Sequence, residues 1–115
     1  MASKIYILGK MTGIPFFNFP AFDAAATRLM VAGHKPLSPA DIDREAGFDA
    51  MSLPVDWDWD VLPDCLNLRD VVRRDVLAII DEADGYYCLP GWEASKGARA
   101  EAALCEWLGL EKITI

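Results

Sequence analysis

Two acidic residues stand where apolar ones belong. From Ser95 to Leu108, at 100° per residue, Gly97, Ala98, Leu104, Cys105 and Leu108 fall on one side of a helix, and Lys96, Arg99, Ala103 and Glu106 on the other. Glu101 falls in the middle of the apolar side. Its neighbours three and four positions away are Gly97, Ala98, Leu104 and Cys105, so its own helix offers it no cation. The preceding helical stretch repeats the anomaly: Leu68, Val71, Val72, Val76, Ile79, Ile80 and Ala83 form an apolar arc with Asp75 inside it. A carboxylate buried without a partner is strongly destabilised, so each acid must be paired across the fold, protonated, or turned toward a cavity. A salt bridge to a distant arginine or the capping of a loop would satisfy either one. Inward carboxylates on adjacent elements are also what chemistry at a glycosidic bond requires, one as nucleophile and one for proton transfer or sugar orientation.

A candidate anion site precedes Glu101. In Leu89-Pro90-Gly91-Trp92-Glu93-Ala94-Ser95-Lys96-Gly97-Ala98, Ser95 is placed as a helix N-cap and Gly97 lets a ligand approach the backbone. The free N–H groups of the first turn favour an anion, although an ordinary capped helix carries the same residues. Gly9-Lys10-Met11-Thr12-Gly13 lacks the G-x-x-x-x-G-K-[ST] order of a P-loop, so ATP hydrolysis is not supported. Gly9, Thr12 and Gly13 still offer backbone and hydroxyl groups to a ligand. Asp56, Asp58 and Asp60 imitate the start of a calcium loop, but Val61 stands where such a loop needs Gly and Asn67 where it needs Glu. No metal is assigned. Trp57 and Trp59 read as core or lid residues before base-stacking or subunit-contact residues. His34, the only histidine, has no ligand partner at metal spacing and reads as a turn residue.

The elements that must position these groups alternate. Ile5-Tyr6-Ile7-Leu8 has the pattern of a strand covered on both faces, and Phe22, Ala25, Ala26, Leu29 and Met30 mark a crossover helix stopped at Gly33. A short second strand fits between His34 and the prolines. Residues 40 to 66 read as a long, partly helical excursion. Helical periodicity returns from Asn67 to Ala83, Gly85 to Leu89 reads as a strand, Ser95 to Leu108 as a helix, and Ile113 to Ile115 as a closing strand. The expectation is a single α/β domain over residues 1–115, a three-layer Rossmann/flavodoxin-like fold with a four- to five-stranded, mainly parallel sheet. Ligands should bind beyond the carboxyl ends of its strands.

With 53% hydrophobic and 25% charged residues, the chain lies outside the disordered class. Eighteen acidic against eleven basic residues give a net charge of −7, which repels nucleic acid polymers and anionic membranes but not a single phosphate held by backbone N–H groups. Cys65, Cys88 and Cys105 are odd in number and contain no C-x-x-C pair, which argues against a disulfide framework or zinc site and for a reducing cytosol. No stretch has the length of a signal-peptide core or membrane span.

Three stretches carry a resemblance: Ile5 through Gly13 with Asn18; Ala32-Gly33-His34 leading to Pro39; and Asp84 through Gly97 to Glu101. Together they resemble the nucleoside 2-deoxyribosyltransferase-like superfamily, and most closely a small domain family common in bacteriophage genomes. That family's pattern runs Tyr-Ile-x-Gly-Pro-Met-Thr-Gly and later Gly-Trp-Glu-x-Ser-x-Gly-Ala-x-x-Glu. The match leaves out residues 43 to 66, and Lys10 replaces the usual proline.

The resemblance implies that Glu101 attacks C1′ of the sugar, that Asp75 assists proton transfer and sugar binding, and that Tyr6 orients the nucleophile. It implies substrate or phosphate contacts from Gly9, Met11, Thr12, Gly13, Asn18, Trp92, Ser95 and Gly97. True transferases carry an acid six residues before the nucleophile, where this chain has Ser95; a serine there resembles the branch that hydrolyses deoxynucleoside 5′-monophosphates. The chain ends within its last expected strand, without the C-terminal extension that completes a neighbour's site in the transferases, which also argues against base exchange. The resulting expectation is an N-glycosidase or deoxyribosyl-transfer enzyme that acts on a nucleotide, needs no cofactor and forms a homodimer or higher homo-oligomer. A non-catalytic nucleotide-binding or sensing module and an interaction protein using the Trp-rich segment are the alternatives.

Overall fold

A computed structural model describes residues 2–115. The chain runs β1 (Lys4–Leu8), α1 (Phe19–Val31), β2 (Lys35–Leu37), α2 (Pro39–Glu45), α3 (Leu68–Asp81), β3 (Gly85–Cys88), α4 (Lys96–Trp107) and β4 (Glu111–Lys112), with three short 3₁₀ turns between. The four strands form one all-parallel sheet in the order β2-β1-β3-β4. Helices cover both faces, which makes this a three-layer, Rossmann-like α/β fold.

The strand period of two divides the core. Ile5 and Ile7 of β1 face Phe19, Phe22 and Leu29, on the side of α1, whereas Tyr6 and Leu8 face Ile79, Ala98, Ala102 and Cys105 of α3 and α4. Tyr6 is fully buried, so its hydroxyl must find a partner within the α3/α4 layer. Gly9 ends β1 where a Cβ would stand 2.7 Å from Leu89 Cδ1 and 2.9 Å from Leu89 Cβ. Only glycine lets the segment after β3 close over the end of β1.

Side-chain caps fix where three helices begin. Ser38 accepts from Ala40 N for α2, Asn67 from Asp70 N for α3, and Ser95 from Ala98 N for α4. The excursion over residues 40 to 66 is a packed cover on the α1 side. Arg44 holds it by donating to Asp23 at 2.7 and 2.8 Å, to Asp41 at 3.1 Å and to Asp49 at 3.4 Å, while its guanidinium lies 5.0 Å from the centre of the Phe19 ring. Trp59 meets Phe17 edge-on at 5.2 Å, and Trp57 Nε1 donates to the Val61 carbonyl at 2.9 Å. Both tryptophans are half-buried packing residues of this cover.

Two expectations need correction. The closing strand lies at Glu111–Lys112 rather than at Ile113 to Ile115. Gly109, at φ 73°, ends α4 and turns the chain straight into the ladder, so that Glu111 and Lys112 pair with Gly85 and Tyr86, and Ile113 N makes a last bond to the Tyr86 carbonyl at 2.9 Å. The apolar arc of α3 is only partly buried: Asp75, Ala78 and Ile79 face the core, while Leu68, Val72 and Ile80 are exposed. Among the described residues, no helix is long and apolar enough to cross a membrane.

Candidate active site

The strand order reverses at β1: the chain leaves it toward β2 and returns on its other side as β3. Loops leaving the carboxyl ends of β1 and β3 therefore diverge and open a crevice at this switch point. A cleft of about 450 Å³ lies there. Gly9, Met11 and Thr12 after β1, Asp75 of α3, and Ser95, Gly97 and Glu101 at the start of α4 all line it.

Glu101 is half-buried at the edge of the inward face of α4. Its Oε2 accepts a hydrogen bond from Tyr6 Oη at 2.8 Å. Among the described residues no arginine or lysine forms an ion pair with Glu101 or Asp75. Asp75 is 6% exposed, and its Oδ1 has no hydrogen-bond partner. Neither acid is thus accounted for as a structural ion pair.

Burial sets the protonation of the site. It pushes Glu101 up to about 7, against the downward pull of the Tyr6 hydrogen bond. Asp75 rises further, to about 8, through burial first and then the charges of Glu101 and Asp43, with Arg74 opposing. Glu101 therefore ionises first, and its charge delays Asp75. The Tyr6 hydroxyl is pushed well above its ordinary range by burial and then by Glu101, so it stays a donor. At neutral pH Glu101 is thus near its ionisation point beside an Asp75 that is mostly protonated.

Ser95 caps α4 through its Oγ, which accepts from Ala98 N at 3.1 Å; the hydroxyl hydrogen is left to donate outward. The N–H groups of Lys96 and Gly97 belong to the first turn, where a helix has no acceptors of its own. A Cβ on Gly97 would meet nothing nearer than Ser95 Oγ at 3.9 Å. Protein packing does not demand glycine there, and the space that its missing side chain leaves belongs to the cleft.

Three expected contacts stand off the wall of the cleft. Gly13, at φ 85°, donates its N–H to the Trp59 carbonyl at 2.7 Å and ties the β1 loop to the cover. Asn18 donates from Nδ2 to the Lys10 carbonyl at 2.9 Å and shapes the loop from behind. Trp92 packs against the α3/α4 core under Lys112, whose Nζ lies 5.5 Å from its ring centre. In exchange the cleft gains residues that periodicity did not mark: Lys10, Lys96, Asp60, Phe17, Phe48 and, above all, Asp43 of α2, 4% exposed. Phe17 reaches the wall through a left-handed run, Phe16 to Asn18 at φ 55°, 48° and 63°. Such backbone costs roughly 1–2 kcal/mol per residue, offset here by the packing of Phe17 on Trp59 and Phe48. The only sequence signal for Asp43 is its spacing of three from the buried Ala40 behind the Ser38 cap.

The raised acids make stability depend on pH. The folded protein keeps protons that the unfolded chain has released, so stability is full below the ordinary carboxylate range and is lost as pH rises through about 7 and then about 8. Asp75→Asn should therefore unfold at least ~4 °C higher than the parent at pH 8, with the difference closing near pH 4. A lower midpoint at pH 8 in a thermal scan would show that the Asp75 carboxylate is paired and structural.

No curated protein and no solved structure matches the chain. A family model described as Domain of unknown function (DUF4406) matches residues 3–114. Since that span takes in every element of the sheet and every residue of the cleft, the chain belongs to the DUF4406 family.

Proposed function

We propose that this protein is an N-glycosidase, or deoxyribosyl-transfer enzyme, of the nucleoside 2-deoxyribosyltransferase-like type that acts on a 2′-deoxynucleoside 5′-monophosphate. The observation that carries the reading is the Tyr6–Glu101 bond at the wall of an open cleft, with a second, unpartnered acid beside it. Tyr6 holds Oε2 and leaves Oε1 free to attack C1′ of the sugar. As the C1′–O bond forms, the bond from C1′ to the base nitrogen breaks and its electron pair leaves with the base. Asp75, neutral at pH 7, supplies the proton that the base needs. Water then attacks C1′ of the glycosyl ester, Asp75 takes the proton from it, and Glu101 is released with deoxyribose 5-phosphate as product.

The phosphate is assigned to the start of α4, where the Ser95 hydroxyl, the N–H groups of Lys96 and Gly97, and the lysines Lys10 and Lys96 line the same cleft. An acid at position 95 would repel a phosphate; serine does not, which favours a nucleotide over a nucleoside and hydrolysis over base exchange. The scheme draws on no cofactor or metal. A reducing cytosol is the proposed setting.

The exposed apolar residues of α3 and α4 support a homo-oligomer. Leu68 and Val72 at the mouth of the cleft, with Ile80 and Trp107 beyond, lie on the helical layer that carries both acids. A second copy seated there would cover them. Sedimentation should show an oligomer that Trp107→Lys and Ile80→Lys weaken; a monomeric parent at micromolar concentration would remove this part of the reading.

Release of free base from a panel of deoxynucleoside monophosphates tests the activity. The rate should rise with pH as Glu101 ionises through about 7 and fall as Asp75 loses its proton through about 8, which gives a narrow bell. Glu101→Gln should lose ~1,000-fold or more; full turnover by this variant would refute the assignment. Tight nucleotide binding with no base released would favour the binding-module alternative. Tyr6→Phe should lose ~10- to 100-fold, as for one hydrogen bond to a charged group. It should also shift the acid limb of the bell upward, since Tyr6 is what lowers Glu101; an unmoved limb would deny Tyr6 its orienting role.

A further inference from the structure

Asp43 has no place in the scheme above, yet its environment is as unusual as that of Glu101. It is 4% exposed, and its Oδ1 has no hydrogen-bond partner. That oxygen forms an ion pair with Arg74 Nη2 at 3.7 Å, too long for a hydrogen bond, so the pair leaves both Oδ1 and the buried Arg74 Nε without a hydrogen-bond partner. Asp43 does not cap α2, since Ser38 does. It sits instead in the last turn of that helix, where the exposed carbonyl groups disfavour a negative charge. Arg44, the next residue, gathers Asp23, Asp41 and Asp49 on the outer side and leaves Asp43 turned inward.

What surrounds Asp43 within the cleft is mostly apolar. Phe17, Phe48, Leu62 and Leu66 line the cavity with it, all from α2, the cover or the loop after β1. The groups assigned to phosphate and sugar come instead from α4, α3 and the end of β1. Asp43, Asp75 and Glu101 line one cleft, Asp43 from α2, Asp75 from α3 and Glu101 from α4, and the charges of the other two both raise Asp75. A nucleotide with its phosphate at Ser95 and C1′ at Glu101 would then place its base in the apolar part that Asp43 edges. This inference rests on the nucleotide reading.

We infer that Asp43 is a specificity-determining residue of the cleft, an acceptor that selects bases carrying an exocyclic amino group over their oxo counterparts. The flat apolar walls hold any base, while a carboxylate accepts from an amino N–H and repels a carbonyl oxygen at the same place. A buried polar group that is left unpaired by the wrong ligand is the strongest discriminator that such a site can have.

Matched pairs test it: deoxycytidine against deoxyuridine monophosphate, and deoxyadenosine against deoxyinosine monophosphate, each differing by amino against oxo. Calorimetric affinity is measured on the wild-type protein together with base release, so that binding is read even where no base is freed. The amino member of each pair should be favoured by at least ~10-fold. Asp43→Asn, nearly isosteric and able to donate as well as accept, should erase or invert that preference while the affinity for deoxyribose 5-phosphate stays unchanged. Equal affinity of the wild type for both members of each pair would overturn the inference, whatever the fate of the variant, and so would an unchanged ratio in a folded Asp43→Asn. Binding without hydrolysis would refute the catalytic reading and leave this one standing; failure to bind any of the four would overturn both.

Discussion

A tyrosine hydroxyl and a glutamate carboxylate satisfy one another at the wall of the cleft, and the layout of the candidate site follows from that bond. Tyr6 is on the strand face turned toward α3 and α4 and is fully buried. It cannot reach solvent, so a partner must come from one of those helices. Glu101, a turn and a half into α4, is that partner at 2.8 Å. The bond locks one oxygen and fixes α4 relative to β1. Glu101 itself lines the crevice that the sheet order opens between β1 and β3.

The way in which acids are treated differs across the molecule. On the outer side, Asp23, Asp41 and Asp49 gather on Arg44, an arrangement that binds α1, α2 and the cover without leaving a charge unmatched. Facing the cleft, Asp43, Asp75 and Glu101 have between them one tyrosine hydroxyl and one arginine beyond hydrogen-bond range. One arginine neutralises three acids outside, whereas among the described residues Asp75 and Glu101 have no ion pair, Asp43 has one long pair to Arg74, and burial raises all three. Stability alone gives no reason for that contrast. The proposed ligand, which brings a sugar carbon, a leaving group in need of a proton and hydrogen-bond donors, would give one.

Much of this was legible in the residues. Ile5 to Leu8, the Phe22 to Met30 stripe and the helical runs holding Asp75 and Glu101 locate the sheet and its covering layers, because long apolar periodicities constrain the face that each residue presents. The same periodicities make an acid inside a stripe conspicuous, which is how Asp75 and Glu101 stood out. Asp43 did not, because α2 is seven residues long and its inward positions are Pro39, Ala40 and Asp43 itself; without an apolar stripe there is nothing for an acid to interrupt. Phe17 was hidden for another reason. Three consecutive non-glycine residues at positive φ turn it into the cleft wall, and no local preference announces such a run. Trp92, Gly13 and Asn18 stand near the site in sequence, but contacts to Lys112, Trp59 and Lys10 use them to build the frame.

The central claim is that the free oxygen of Glu101 meets a sugar carbon. A deoxynucleotide with fluorine at C2′ slows both formation and breakdown of a glycosyl ester by withdrawing charge from C1′, and so lets the ester accumulate when it is formed faster than it is hydrolysed. Intact-mass analysis after incubation, followed by peptide mapping, should find one fluorodeoxyribosyl phosphate per chain, located on Glu101. Protein that releases base from ordinary deoxynucleotides yet carries its adduct on another residue would contradict the account.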